Sequence, residues 1–291
     1  MITKYDPHDW TSHLLDINGS LVRETLSRVS LAVFTATIIV VLHKLEVLNT
    51  HIEIPETAHS FIGAALALLL VFRTNASYDR FWEGRKLWGG IVNETRNIAR
   101  QATVWLREDP RRVKKLILWT MCYPHACRGK LRNEIELGSA QEELPPGEIA
   151  EVLAAQHTPL AVARKMTAIL EDARRESLLS DYAAVAADQN IQLLIDYIGA
   201  CERIHATPIP FAYAVHLRRA LLVYCWTLPF ALVHRWGWAT IPATLLISYI
   251  LFGIEEIGVE IEDPFGTDEN DLPLDEICDK INATLRTLLP E

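Results

Sequence analysis

Apolar residues are concentrated in four long runs, which charged and polar segments separate. The two longer runs, Thr57–Phe72 and Trp236–Ile254, contain no charged residue, and neither do the two shorter ones, Val29–Leu42 and Ala220–Val233. A helix needs about 20 apolar residues to cross the hydrocarbon of a bilayer. The longer runs come close to this length, whereas the shorter runs, at 14 residues each, also fit buried helices of a soluble protein.

The charges beside these runs favour a membrane protein. Basic residues precede the first run, follow the second and precede the third: Arg23, Arg28, Arg73, Arg80, Arg85, Lys86, Arg218 and Arg219. The opposite connections are poorer in basic residues, with Lys44 in one and Arg235 in the other. Because the cytoplasmic side of a membrane protein carries the excess of Lys and Arg, both termini and the long central segment are predicted to be cytoplasmic.

The chain is predicted to be an all-α integral membrane protein, because no segment shows convincing strand alternation. The predicted parts are a cytoplasmic N-terminal helix (1–28), the first and second transmembrane regions (29–72), a helical cytoplasmic domain (73–219), the third and fourth transmembrane regions (220–254) and an acidic cytoplasmic C-terminal segment (255–291). No Pro or Gly lies between Arg73 and Gly84. We therefore expect the second transmembrane helix to continue into the cytoplasm.

Composition and motifs remove several classes of function. The net charge of −9 and the pI near 5.6 argue against a nucleic-acid-binding protein. The sequence lacks a phosphate-binding glycine loop, a zinc-ligand series and a nucleophile elbow, so no enzyme activity is predicted. Cys122, His125 and Cys127 come nearest to a metal site, but no fourth ligand accompanies them and a buried structural role is favoured.

The acidic residues are concentrated after the last apolar run, where residues 255–276 contain ten acids and no Lys or Arg. Glu255, Glu256 and Glu262 are interpreted as part of a solvated acidic face, since no Glu-x-x-His pair accompanies them. The loop Asp263–Asp275 brings together oxygen ligands of the kind that Ca²⁺ prefers, but it lacks the EF-hand series. A hydrogen-bonded or solvated loop is therefore favoured over a Ca²⁺ site.

Two features of the second run fit the movement of ions. Ala64, Leu68 and Phe72 recur at every fourth position and define one apolar stripe on a helix. If several copies surround an axis, this stripe forms an apolar constriction, although the same spacing is also typical of ordinary helix packing. Arg73 and Arg80 follow it, and each of them either faces the axis or pairs with Asp79 or Glu83 and faces away.

Three motifs resemble those of bacterial members of the bestrophin ion channel family. They are Val71–Glu83 (VFRTNASYDRFWE) followed by Arg85–Gly89, Cys201–Ile204 with Thr207–Tyr213, and Glu262–Gly266 with Asn270–Asp275. They stand in the family's order, and the resemblance covers nearly the whole chain. It implies a homopentamer in the bacterial inner membrane, with four membrane-crossing regions per subunit, one pore on the fivefold axis and a cytoplasmic vestibule.

The resemblance also implies roles for particular residues. The pore neck of the family matches Ala64, Leu68 and Phe72, with Arg73 and Arg80 beside it, and Ala64 is smaller than the residue usual there. A second, cytoplasmic constriction matches Tyr182, and a shift of one residue would select Asp181 or Ala183 instead. The resemblance implies no required cofactor.

The Ca²⁺ clasp of animal bestrophins has its counterpart in Asp268, Glu269 and Asp271. Thr267 and Asn270 replace acids of that clasp, which weakens the case for tight Ca²⁺ binding.

The predicted function is passive flow of monovalent ions through the apolar neck. The outer connection contains Glu46, Glu53 and Glu56 against Lys44, and acidic rings around a pore favour cations. The sequence therefore favours cations such as Na⁺. The alternatives are a chloride or other anion channel of the same architecture, and a membrane-anchored scaffold without conductance. The predicted partners are further copies of the chain, the lipid bilayer and monovalent ions, with no nucleic acid.

Overall fold

The computed structural model describes residues 21–47 and 54–290, and in these residues every regular element is helical. The α-helices are α1 (Val22–Lys44), α2 (Glu56–Trp105), α3 (Pro110–Arg132), α4 (Pro146–Leu153), α5 (Thr158–Arg175), α6 (Asp181–Ala206), α7 (Phe211–Trp236), α8 (Thr240–Glu260) and α9 (Leu274–Arg286). Short 3₁₀ segments lie at Ser139–Glu143 and Gly237–Ala239. The predicted N-terminal helix 1–28 lies mostly outside the described residues.

The chain divides into two compact units. Among the described residues, the first unit comprises those up to Phe81 together with Pro208–Asp263 and Asp268–Asn270, and the second comprises Trp82–Thr207, Pro264–Thr267 and the residues from Asp271 onward. Helix α2 begins in the first unit and ends in the second without a break. The predicted continuation of the second transmembrane helix beyond Arg73 is therefore confirmed.

Helices α1, α7, α8 and the first part of α2 build the first unit, and their core is apolar. Leu66 and Leu70 of α2 pack with Val29 of α1, Leu221 of α7 and Phe252 of α8. Three continuous helical segments in the described residues are long and apolar enough to cross a membrane: Val22–Lys44, Glu56–Trp105 and Phe211–Glu260. The last of these contains both α7 and α8.

The boundary between α7 and α8 lies just after His234 and Arg235. Both residues belong to the last turn of α7, which ends at Trp236. Gly237 follows with φ of +52°, in the left-handed region that only glycine enters without strain. The glycine therefore ends the helix, and the basic pair lies near the negative end of the helix dipole.

Helix α3 is the centre of the second unit and is buried along nearly its whole length. Its first turn is fixed by Pro110 and by Asp109, whose carboxylate accepts a hydrogen bond from the Arg112 backbone N–H at 3.0 Å. Helices α5, α6 and α9 pack against it. The Tyr123 hydroxyl donates to the backbone carbonyl of Leu194 on α6 at 2.7 Å, so the packing of α3 against α6 is also fixed by a buried hydrogen bond.

Candidate functional site

The part of α2 that lies in the first unit has two faces of opposite character. From Leu66 onward, its buried residues follow at intervals of three and four positions: Leu66, Leu70, Arg73 and Ser77. The apolar stripe of Ala64, Leu68 and Phe72 is exposed, with exposed fractions of 55% for Leu68 and 58% for Phe72. At about 100° per residue, the centre of the stripe lies roughly 170° around the helix from the buried face.

The stripe belongs to a wider exposed apolar surface. Other large apolar side chains of this part of α2 are also exposed: Phe61, Ile62 and Val71. A contiguous surface of this kind on a folded chain marks contact with lipid, with another protein or with a ligand pathway. The stripe that the sequence singled out is therefore not used to pack the subunit itself, which removes the ordinary helix-packing explanation of its spacing within the described chain.

Arg73 lies on the buried face, and only 1% of it is exposed. Its guanidinium contacts two carboxylates, with Nη1 3.6 Å from Glu255 Oε1 and Nη2 3.5 Å from Glu262 Oε2. The sequence had offered Asp79 or Glu83 as partners. Glu83 instead accepts a hydrogen bond from Arg203 at 2.8 Å, and Arg73 points into the helical bundle rather than along the stripe.

Glu255 of α8 is the centre of this charged layer and is only 2% exposed. Besides Arg73 it contacts Arg28 of α1 at 3.3 Å and Arg218 of α7 at 2.8 Å. Glu256 contacts Arg28 at 2.6 Å. Three arginines thus meet three glutamates across α1, α2, α7 and the end of α8, and the positive and negative formal charges balance. We refer to these six residues, Arg28, Arg73, Arg218, Glu255, Glu256 and Glu262, as the charged layer.

The interpretation of these glutamates as a solvated acidic face was wrong, most clearly for Glu255. A buried carboxylate is tolerated only where cations and hydrogen bonds compensate for its lost hydration. Its compensating arginines come from three helices far apart in the sequence. The cue in the sequence was a basic residue beside each of three apolar runs, which the positive-inside rule already explained.

Arg80 is turned toward the same end of α8 as Arg73. Its Nε donates to the backbone carbonyl of Glu262 at 2.9 Å. One turn earlier, the Ser77 hydroxyl donates to the carbonyl of Gly258 at 2.6 Å. Gly258 has no side chain, and a Cβ there would lie 3.3 Å from Arg73 Nε. Both arginines beside the predicted neck are therefore engaged by the C-terminal end of α8 and the residues that follow it.

Tyr182 lies in the first turn of α6 and is 91% exposed. The turn begins at Ser180, whose hydroxyl oxygen accepts from the Ala183 backbone N–H at 3.2 Å. Asp181 is also exposed and contacts Arg174 at 3.1 Å, while Ala183 is partly buried. Of the three positions that the sequence left open for a cytoplasmic constriction, Tyr182 presents the largest side chain to the surface.

The acidic loop was the other candidate metal site. Ca²⁺ takes six to eight oxygen ligands, but the described residues contain no group of three or more His, Cys, Asp or Glu side chains that could hold a metal ion. Asp268 and Glu269 are exposed, and Asp271 is partly buried. No step that involves bound Ca²⁺ follows from this structure.

Cys122, His125 and Cys127 are buried on α3 and serve the packing of the second unit. Burial raises the pKa of Cys122 to about 12, which opposes the thiolate that a metal would need. His125 Nε2 lies 2.8 Å from the Asn282 amide nitrogen on α9. Gly138, with φ of +69°, passes so close that a Cβ would lie 2.5 Å from the imidazole. Burial, and then the Arg128 charge, lower the pKa of His125.

The fold and the two faces of α2 are typical of helical membrane proteins. In this subunit Arg73 and Glu255 of the charged layer are buried, while an apolar face of α2 is left exposed. Comparison with known proteins gives the family. Residues 1–287 match the family model described as bacterial/fungal bestrophin protein. The chain therefore belongs to the bacterial bestrophin family.

Individual relatives agree with this assignment. The voltage-dependent anion channel-forming protein alr2987 of Nostoc is 36% identical over 96% of this chain and 91% of its own length. The voltage-dependent anion channel-forming protein YneE of Escherichia coli K12 is 33% identical over 98% of this chain and 93% of its own length. The crystal structure of a bestrophin homologue from Klebsiella pneumoniae has a TM-score of 0.86 at 29% identity and covers 91% of this chain and 98% of that one. Family and relatives indicate an ion channel and not an enzyme.

Proposed function

We propose that this protein is a homopentameric channel of the bacterial inner membrane through which monovalent ions flow passively, with a preference for cations such as Na⁺. The observation that carries the proposal is the exposed apolar stripe on the face of α2 opposite its packed face. Around a fivefold axis, the stripe forms a neck lined by Ala64, Leu68 and Phe72. Apolar constrictions of this kind control ion flow through the cost of wetting them.

Four membrane crossings follow if α1, the first part of α2, α7 and α8 each span the bilayer. The charged layer, which includes Arg28, Arg73 and Arg218, then lies at the cytoplasmic boundary, as the positive-inside rule requires. The ion pair between Glu56 and Arg235, at 3.1 Å, lies at the opposite boundary. Both chain termini are cytoplasmic in this topology, and 73–219 forms a cytoplasmic domain.

A second narrowing on the cytoplasmic side is assigned to Tyr182. Its exposed position at the start of α6 supports this role, since a side chain that lines a pore cannot be buried within its own subunit. Five phenols would form a polar ring there, in contrast with the apolar neck. This second ring is a weaker barrier than the neck, because a hydroxyl group offers hydrogen bonds to passing ions and water.

The preference for cations rests on the distribution of charge. Arg73 is buried beside Glu255 and Glu262, and Arg80 is turned toward the backbone carbonyl of Glu262, so both guanidinium groups are directed away from the stripe. On the outer side, Glu46 is exposed, whereas Glu56 is paired with Arg235 and Glu53 lies outside the described residues. Exposed acids around a pore mouth raise the local concentration of cations.

Anion conduction by the same architecture is the second candidate. The printed names of the relatives, which call them anion channel-forming proteins, favour it. In that case the selectivity would have to come from the apolar neck and from the cytoplasmic domain, because the arginines beside the neck are buried or paired.

The test is the reversal potential of the purified protein in planar lipid bilayers under an asymmetric NaCl gradient, without Ca²⁺ and then with it. A reversal potential close to the Na⁺ equilibrium value supports the proposal. A value close to that of Cl⁻ establishes the anion channel instead. If a correctly assembled protein gives no current under either condition, a membrane scaffold without conductance replaces both channels.

A further inference from the structure

The stripe continues into one acidic residue. Asp79 follows Phe72 by seven residues, which places it about two helical turns and roughly 10 Å further along α2. Measured from Ala64, the stripe covers an arc of about 80°, and Asp79 lies at about 60° within that arc. The side chain of Asp79 is exposed. It is therefore on the same face of α2 as the neck residues, on the side of the charged layer.

Asp79 differs from the other charged residues of this part of α2. Between Ala64 and Trp82, a segment that the structure describes completely, the charged residues are Arg73, Asp79 and Arg80. Arg73 is buried, and Arg80 donates to the carbonyl of Glu262. Asp79 has no ion pair or side-chain hydrogen bond within the described residues, although Arg80 is its direct neighbour in the sequence. The helix thus presents one uncompensated charge along the stripe, and it is negative.

We infer that Asp79 is a selectivity-determining residue, which concentrates cations and repels anions at the cytoplasmic mouth of the neck. The inference rests on the proposed function, because the stripe must face a shared axis for the carboxylates of several subunits to form a ring. Such a ring produces a potential of one or more kT at the mouth of a low-dielectric constriction, and this potential biases the ion that enters.

The field of this ring must weaken with salt. The Debye length is about 30 Å at 0.01 M ionic strength and about 3 Å at 1 M. At low salt the carboxylates therefore act on the whole mouth, whereas at high salt they act only on ions in contact with them. The contribution of Asp79 to selectivity should be large in dilute NaCl and small in concentrated NaCl.

The experiment compares the wild type with Asp79→Asn and Asp79→Glu in planar bilayers at low and high NaCl. Asp172→Asn is the matched control, because Asp172 is an exposed acid on α5 and its neutralisation changes the net charge equally. We expect Asp79→Asn to lower the Na⁺/Cl⁻ permeability ratio about threefold or more at low salt, in line with a change of one or more kT at the mouth. Asp79→Glu should keep the wild-type ratio, and Asp172→Asn should leave it unchanged.

The inference and the proposed function can fail separately. If the wild type conducts but Asp79→Asn has the wild-type ratio at low salt, Asp79 plays no part in selectivity while the channel itself stands. If the wild type prefers Cl⁻, the cation proposal fails, yet Asp79→Asn must still shift the ratio further toward Cl⁻ for the inference to hold. If Asp79→Asn does not assemble on size-exclusion chromatography while Asp172→Asn does, Asp79 is a contact between subunits and the inference is overturned.

Discussion

The two faces of helix α2 reverse the usual relation between polarity and burial. One face buries Arg73 and Ser77 against the end of α8, and the other exposes Leu68 and Phe72. In a soluble protein the arginine would lie outside and the leucine inside. The difference teaches that buried charged residues of this segment help to hold the subunit together, whereas the apolar residues of the stripe are left for a surface that the isolated subunit does not provide.

The buried face also shows how the charge is tolerated. Arg73 and Glu255 are almost completely removed from solvent, and each has more than one partner of opposite charge. Removing one member of such a cluster leaves the others buried without compensation, which costs far more than the net stability of the intact cluster. The exposed face carries no such penalty, so its residues can change without unfolding the subunit.

The largest effect is expected from Glu255→Gln. It leaves Arg73 buried beside a neutral amide, and we expect a loss of about 3–5 kcal/mol of folding free energy. Thermal unfolding of the purified protein in detergent, followed by size-exclusion chromatography, measures the change. Glu256→Gln is the control, because the ion-pair partner of Glu256 within the described residues is the partly exposed Arg28, and the loss of this pair should cost less than about 1 kcal/mol. Equal effects of the two variants would contradict the central role of Glu255.

The next comparison sets Leu68→Ala against Leu70→Ala, two leucines two positions apart on opposite faces. Leu70 is buried in the core of the first unit, so its truncation should cost about 2–5 kcal/mol of stability. Leu68→Ala should leave the melting temperature nearly unchanged but increase the single-channel current, because it widens the neck and eases its wetting. Unfolding curves and bilayer recordings separate the two outcomes. A loss of stability in Leu68→Ala with unchanged current would place Leu68 in packing and not in the neck.

A smaller effect is expected from Ala64→Leu. The exposed Ala64 leaves room on the stripe for a longer side chain, so the variant should fold normally and reduce the current by narrowing the outer end of the neck. Ala32→Leu provides the opposite case, since Ala32 is fully buried between helices and a larger side chain there should destabilise the protein. Bilayer current and melting temperature are the two readouts. An unchanged current in Ala64→Leu would show that Ala64 lies away from the pathway.

The smallest effect concerns the dependence of stability on pH and involves His125 of the second unit. The pKa of His125 is lowered by burial, so the folded protein binds the proton less readily than the unfolded chain does. The stability that the buried, neutral His125 contributes is complete above its ordinary pKa of 6.5, and it is lost as the pH falls below that value. Asp275 and Asp279 oppose this shift and Arg128 adds to it.

We therefore expect the melting temperature to fall between pH 7 and pH 5, and hydrogen exchange of α9 to speed up, since His125 contacts Asn282 on that helix. In His125→Gln both changes should be smaller, because the amide cannot be protonated in this range. A variant that keeps the full pH dependence of the wild type would assign the effect to other groups.

Much of the local structure could be predicted from the sequence. The continuation of α2 beyond Arg73 followed from the lack of Pro and Gly between Arg73 and Gly84, and the stripe followed from its spacing. Asp109 and Pro110, which cap and begin α3, are residue types typical of a helix start. These features depend on residues that are close in the sequence, and the relevant physical rules act over a few turns.

The charged layer could not be predicted in the same way. Whether Glu255 is solvated or buried depends on Arg28, Arg73 and Arg218, which three other helices bring to it. The same arginines are equally well explained by the positive-inside rule. For this reason the sequence left open whether the Arg73 side chain faces the axis or faces away from it. The position of a residue in a helix determines the face on which it lies, but not which other helices contact that face. That Asp79 lies on the same helix face as the stripe could be calculated from the sequence. That it forms no ion pair within the described residues could not.

Cysteine accessibility tests the central claim most directly, since that claim assigns the exposed stripe of α2 to an ion pathway. All five native cysteines are buried, so the wild-type protein is a suitable background. Phe72→Cys and Leu70→Cys are exposed in turn to a charged, water-soluble thiol reagent while the current is recorded. Modification of Phe72→Cys should change the current within the recording, and Leu70→Cys and the wild type should not respond. Equal responses at both positions, or a response at Leu70→Cys alone, would contradict the account.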